Sequence, residues 1–307
     1  MTTPERGPEG FSLRTEPAAL VSPGDPAAPR HAFTVDVEDW YQSCIDYDAP
    51  ITERVVRNVD RMLEILDEHG VKGTFFVQGK VAETFPKLVS TLVATGHEVQ
   101  SHGYSHRPLS GMNVEELRAE LEWAKKTVED AAGREVNAFR AQDFSIVAEN
   151  LWAIDVILDV GFQVDSSIFP MRSRHYGIRN WEVGPHYLVL RGGRRILEIP
   201  VAVWTAGRVR IPVAGGGYFR MLPQAVVERG LRAVEESGRP AIVYCHPYEF
   251  AIKELADYPD VPRHFRVMQE LGRRKFPDRL GALFAKLSFG RMDHVLSAWG
   301  LRPGQRA

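Results

Sequence analysis

Two histidines four residues apart, His102 and His106 in the stretch SHGYSHRPLS, sit among glycine, serine and proline, where neither has an apolar face to join. Two imidazoles and one carboxylate are enough to hold a divalent metal, most commonly zinc, with a position left for water. Water on such a metal loses much of its pKa, so a nearby carboxylate can deprotonate it for attack on a carbonyl. A separate histidine can then protonate the leaving amine. Taken alone, an H-x-x-x-H pair is as readily two loop histidines, so the rest of the chain has to supply the carboxylates and the acid.

The elements that would position such a set are visible as alternating patterns. HAFTVDVED alternates Phe33, Val35 and Val37 with Thr34, Asp36 and Glu38, as a strand does. From Thr52, Val55, Val56, Val59, Met62, Leu63 and Leu66 recur at helical spacing up to Gly70. KGTFFVQG reads as a buried strand, VAETFPKLVSTLVATG as a helix and HEVQSH as a short strand. Asn113 and Glu116 form a capping-box pattern ahead of Leu117, Leu121, Ala124 and Val128. VNAFR, AENLWAIDVILDVG and FQVDSS continue the alternation, which predicts a parallel sheet, open or closed into a barrel.

Beyond residue 185 the pattern changes. HYLVLRGGRRILEIPVAVW reads as two strands around Gly192 and Gly193, and RVRIPVAGGGYFRMLP as a further extended, glycine-rich element. A helix over 224–237 precedes PAIVYCHPYEF, whose residues 241–244 read as a late core strand.

In an α/β barrel, reactive groups gather where strands end at their C-terminal edge. The polar residues at those predicted ends are Asp36, Glu38 and Asp39, then His102 and His106, Arg140, Asp165 and His246. Each has an ordinary reading as well: Asp36 could bond backbone amides, Arg140 could pair in the core, Asp165 could cap a turn before Ser166 and Ser167, and His246 could be a satisfied core residue. Their joint arrival at successive strand ends favours a site. Cys245 and His246 point to opposite faces of a strand and cannot form a thiol dyad. Gly215 to Gly217 open no βαβ unit, so phosphate cradling is not expected.

Composition narrows the partners. The 307 residues are 44% apolar and 25% charged, with a formal net charge of -2, which gives no electrostatic case for nucleic acid or an anionic membrane surface. Two cysteines, Cys44 and Cys245, make no disulfide framework. Neither a signal peptide nor an apolar run of about 18 residues is visible, so the expected location is cytoplasmic or membrane-adjacent. Nothing in the sequence sets the oligomeric state.

In this order, FTVDVEDW, GTFFVQG, GHEVQSHGYSH, FRAQDFS, VDSSIFP and VYCHPYEF resemble the NodB-like polysaccharide deacetylases over roughly residues 31–255. EIPVAVW, PVAGGGYFRMLP and HPYEF look more particularly like the subgroup found with exopolysaccharide production and exosortase systems. The resemblance implies a distorted (β/α) barrel with an added β-rich and helical C-terminal extension. The expected organisation is a disordered arm over 1–29, a catalytic domain over 30–295 whose subgroup-specific part begins near 190, and a tail over 296–307.

The resemblance also implies roles. Asp36 is the expected general base, Arg140 the cation that keeps it ionised, and His246 the acid, oriented by Asp165. His102 and His106 are expected metal ligands, with Glu38 favoured over Asp39 as the third because period two puts Glu38 on the face of Asp36. Phe144, Trp204 and Tyr248 are candidate walls for a sugar ring. Gln142 stands where the family usually has proline, Asp143 where it has a small residue, and Gly103 where it has serine or threonine. The expected activity is metal-dependent removal of N- or O-acetyl groups from a glycan or its lipid-linked precursor. A small-amide or cyclic-imide hydrolase on the same scaffold, and an inactive glycan-binding or assembly protein, are the alternatives.

Overall fold

The computed structural model describes residues 11–173 and 176–303. Its main sheet contains β1 (Leu13–Pro17), β2 (His31–Val37), β3 (Thr74–Val77), β4 (Glu98–Ser101), β5 (Ala138–Phe139), β6 (Val164–Asp165), β7 (His186–Leu190) and β8 (Arg195–Glu198). A two-stranded ribbon of β9 (Val203–Ala206) and β10 (Val209–Pro212) follows, and then β11 (Ile242–Cys245) and β12 (Phe289–Gly290) rejoin the main sheet. β11, β2, β3, β4, β5, β6 and β8 run parallel in that order. β7 and β1 continue the sheet antiparallel beyond β8.

Closure comes from the chain that leaves β8. Ile199 N–H donates to Asp165 O on one side, and Ala202 N–H donates to Ile242 O on the other, at 2.8 and 2.9 Å. The result is the distorted barrel with a C-terminal extension that the sequence leads one to expect.

β2 shows why the barrel can carry a site. All seven of its residues are buried, as in a strand covered on both faces. Phe33, Val35 and Val37 join the larger core cluster with Val55, Val59, Met62 and Leu66 of the helix Arg54–Glu68. Each such buried side chain contributes about 2 kcal/mol. The opposite face carries Ala32, Thr34 and Asp36, with Ala32 packed in a second cluster beside Phe76, Ala138, Val164, Leu197 and Ile242. One face anchors the strand, and the other delivers polar groups towards the top of the barrel.

Three expectations need correction. The arm over 1–29 is in part ordered: β1 pairs with β7 from Leu13↔Leu190 to Pro17↔His186, and Val21 N–H donates to Trp299 O. Residues 1–10 lie outside the described residues. The tail over 296–307 begins inside the helix Met292–Ala298 and buries Leu296, Trp299 and Leu301 against the barrel. The helix read in VAETFPKLVSTLVATG is two, Gly79–Thr84 and Pro86–Ala94, because Phe85 precedes a proline and leaves the helical region at φ -129° and ψ 61°.

Candidate active site

Glu38 follows the last residue of β2, and His102 follows the last residue of β4. Glu38 Oε2 lies 3.4 Å from His102 Nε2 and contacts His106 Nε2. The ligand atoms of Glu38, His102 and His106 lie within 4.8 Å of one another, and all three residues are buried. His102 Nδ1 is 2.9 Å from Arg140 O, a group that only accepts, so the ring proton sits on Nδ1 and the Nε2 lone pair faces Glu38. His106 has φ 66°, an uncommon conformation for a residue with a Cβ. The loop before it is held by Glu120, whose Oε1 accepts from Tyr104 N, Ser105 N and Ser105 Oγ at 2.9, 2.7 and 3.0 Å.

Burial pushes the Glu38 carboxyl up, but the His106 charge and the contacts with both imidazoles outweigh it and hold the group well below the usual carboxylate range. For His106 burial pulls down, and Glu38 outweighs it, pushing the ring up to about 9. Glu38 Oε2 has no hydrogen-bond partner of ordinary geometry. A buried carboxylate oxygen facing two imidazole nitrogens suits a divalent cation, which would take the place of the proton held between Glu38 and His106.

Asp39, the rival third ligand, is committed elsewhere. Its Oδ1 accepts from Tyr41 N at 3.1 Å, capping the helix Trp40–Cys44, and its Oδ2 accepts from Thr52 N at 2.9 Å and from Thr52 Oγ1. It is Glu38 that the structure places with the two histidines.

One residue pair below, Arg140 Nη1 donates to Asp36 Oδ1 at 2.8 Å and to Thr34 Oγ1 at 2.7 Å. Arg140 Nη2 donates to Ser166 Oγ at 3.0 Å, and the guanidinium lies 4.2 Å from the centre of the Phe76 ring. This arginine is fully buried, so its charge acts on Asp36 with little screening.

His246 follows β11, with Nε2 4.0 Å from Glu38 Oε1. Its ring stacks on Tyr248, centroids 4.8 Å apart and planes 10° apart, and Tyr244 meets it edge-on at 5.6 Å. Burial pushes the His246 pKa down, but the adjoining Glu249 and then Glu38 outweigh it and raise it.

The expected orienting residue does not reach this histidine. Asp165 accepts from Ser167 Oγ at 2.5 Å and from Ser167 N at 3.3 Å, and it lies beside Glu198. Glu198 is pushed well above the carboxylate range by burial and by the Asp165 charge. The carboxylate facing His246 Nδ1 is instead Glu249, at 3.7 Å. Sequence reasoning missed it because Glu249 lies on no strand; the available signal was the i,i+3 spacing after His246, which the 3-10 turn Pro247–Phe250 brings onto one side.

The three aromatic candidates separate. Tyr248 covers His246, and Phe144 packs against Tyr244 and, at 5.9 Å, the Arg140 guanidinium. Trp204 does not join them: it packs under the helix Gln224–Glu236, with Arg229 5.9 Å above its ring, as an edge-ribbon residue covering its neighbouring helix. Asp143 has φ 54° and is not among the side chains bonded to Arg140, which are Asp36, Thr34 and Ser166. It is exposed, and its charge acts on His106, Glu38, His102 and His246; its pKa is raised, chiefly by the crowding around it. Gln142 is buried beside Gly103.

Two family models match the chain: "Polysaccharide deacetylase" over residues 44–151 and "Domain of unknown function (DUF3473)" over residues 166–297. The chain is 32% identical over 105 residues to chitin deacetylase 1 of Cryptococcus neoformans, covering 34% of this chain and 21% of that one. It is 32% identical over 96 residues to a peptidoglycan-N-acetylglucosamine deacetylase of Bacillus cereus, covering 31% and 35%. The matches thus span little more than a third of these relatives at most. Among solved structures, a candidate polysaccharide deacetylase from Mycobacterium smegmatis superposes with TM-score 0.62 at 22% identity, covering 96% of this chain and 99% of that one. Puue allantoinase superposes with TM-score 0.58 at 14% identity, covering 91% and 93%. Both likenesses concern the fold.

Proposed function

We propose, from the premise that the chain carries a polysaccharide deacetylase domain joined to DUF3473, that it is a metal-dependent deacetylase acting on N- or O-acetyl groups of a polysaccharide or its lipid-linked precursor. The observation that carries this reading is the buried Glu38 oxygen, without a hydrogen-bond partner of ordinary geometry, facing Nε2 of His102 and His106. These three residues would hold a divalent cation, zinc by the donor set. When bound, the cation supplies a Lewis acid that lowers the pKa of water and polarises the acetyl carbonyl.

The chain's own residues do the rest. Asp36, fixed by Arg140, takes the proton from the attacking water. His246, whose pKa is raised, gives a proton to the leaving amine or alcohol. Cys44 and Asp143 are exposed beside the site, which suits a glycan approaching an open mouth better than an enclosed small amide. The EIPVAVW, PVAGGGYFRMLP and HPYEF motifs support a role in exopolysaccharide biosynthesis. No helix among the described residues is long and apolar enough to cross a membrane.

The test is acetate release from acetylated chito-oligosaccharides after stripping and restoring divalent metal, for the wild type, Asp36→Asn and His102→Ala. Metal-dependent release lost in both variants supports the reading. Sugar binding without acetate release from the metal-loaded wild type would replace it with a glycan-binding role.

A further inference from the structure

We infer that Glu249 is the positioning residue of His246 and that Arg220, delivered by the AGGGYFR segment of the extension, holds Glu249 in that role; this rests on His246 acting as the acid of the proposed reaction. An imidazole that protonates a leaving atom through Nε2 has to keep its other nitrogen, Nδ1, protonated and aimed at an acceptor. His246 has that arrangement: Nε2 faces Glu38 and the catalytic floor, and Nδ1 faces Glu249 Oε2. At 3.7 Å the second contact is an ion-pair separation and not a hydrogen bond; Nδ1 has no hydrogen-bond partner, which leaves the Glu249 carboxylate it faces as the group placed to select its tautomer.

Glu249 has little freedom to do anything else. Its Oε2 accepts the His246 backbone N–H at 3.1 Å, and its Oε1 accepts from Arg220 Nε at 2.8 Å. It is buried, and burial alone would push its carboxyl up; His246 and Arg220 outweigh that and lower it. Arg220 is fixed in turn, with Nη1 donating to Gln269 O and Leu271 O at 2.6 and 2.8 Å.

The glycines explain how Arg220 arrives. Gly215 has φ 147°, and a Cβ there would fall 1.6 Å from Tyr244 O, so only glycine lets the segment lie against β11. Gly216 N–H donates to the same Tyr244 O at 3.1 Å, and the short helix Gly217–Met221 then carries Arg220 towards Glu249. Thus the segment docks on β11, the strand that His246 follows, and reaches that histidine through the Arg220–Glu249 ion pair. The carboxylate that a strand end would have supplied, Asp165, is occupied by Ser167 and Glu198.

The experiment compares two substrates in the metal-loaded full chain. Removing an acetyl group from a sugar amine needs a proton on the leaving nitrogen, whereas 4-nitrophenolate leaves 4-nitrophenyl acetate without one. Glu249→Gln should lower kcat on acetylated chito-oligosaccharide about 10- to 100-fold with KM little changed, and leave turnover of the aryl ester within about twofold. Arg220→Lys, which keeps a charge but not the Nε contact, should show the same split to a smaller extent. In 15N-detected NMR, neutral His246 should carry its proton on Nδ1 in the wild type and shift towards Nε2 in Glu249→Gln. Equal loss on both substrates, or an unchanged tautomer in Glu249→Gln, would overturn the inference. If the wild type turns over neither substrate, the proposed reaction fails, and the tautomer alone decides the positioning.

Discussion

Gly103 and Gln142 fit each other: a Cβ built on Gly103 would lie 2.1 Å from Gln142 Nε2. Two of the three positions at which this chain departs from the usual pattern of the resembled family, one in each of two motifs, are therefore a single packing solution. Gly103 also has φ 69°, so a side chain there adds backbone strain. Gly103→Ser should destabilise the fold by about 2–3 kcal/mol from strain and overpacking. Adding Gln142→Ala should recover about half of that, the clash but not the strain. Urea denaturation of the two single variants and the double variant checks this as a coupling energy, and strict additivity would refute it.

Metal binding should appear as stability. A cation that binds only the folded chain at a hundred times its Kd contributes about 2.7 kcal/mol. Calorimetry with zinc and with chelator should therefore show a raised Tm in the wild type and no rise in His102→Ala or Glu38→Gln. Asp39→Asn should keep the zinc response while losing some stability in both conditions, since Asp39 caps Trp40–Cys44 and ties down Thr52. A zinc response lost in Asp39→Asn and kept in Glu38→Gln would reverse the ligand assignment.

Arg140 is fully buried and is bonded to Asp36, Thr34 and Ser166. Arg140→Met leaves the buried Asp36 carboxylate without its cation, a loss on the order of 3–5 kcal/mol. Asp36→Asn in the same background should restore part of that stability, because the orphaned charge is gone, while acetate release stays absent. Denaturation midpoints of the three proteins decide the point; a double variant less stable than Arg140→Met would show that the pair's charge is not the cause.

Much of this arrangement is legible in the chain. Period two along HAFTVDVED puts Asp36 and Glu38 on the inner face, and the Asn113–Glu116 capping box starts its helix, which Gly133 ends in the left-handed region at φ 64°. What escaped has physical reasons. LRTEP is an edge strand with most residues at the surface, so β1 gives no clean alternation. Glu249 reaches His246 through a turn, and Arg220 reaches Glu249 through a short helix after three glycines. Such contacts depend on tertiary packing that spacing along a strand does not encode. Trp204 is a sugar-wall candidate on aromatic character alone, and half-buried packing against the core takes it instead.

A second histidine, far from the mouth of the site in its contacts, sets an acid limit on the fold. His97 has no exposed surface; its Nδ1 accepts from Gly73 N at 3.1 Å, and its ring meets Phe75 edge-on. Burial, and then the nearby Lys72 charge, pull its pKa down to about 4. The unfolded chain binds this proton near pH 6.5 and the folded chain only near 4, so between those values the unfolded state holds more protons and stability falls as pH falls. The neutral ring's contribution is intact above about pH 6.5, and about 3 kcal/mol of it is lost by pH 4. His97→Gln, which can still accept from Gly73 N, removes the titration, so its stability should decline less steeply over that window than the wild type's. Urea midpoints at pH 7, 6, 5 and 4 for both proteins measure the difference. Parallel curves would mean that His97 does not set the limit, and a steeper decline in His97→Gln would contradict the sign.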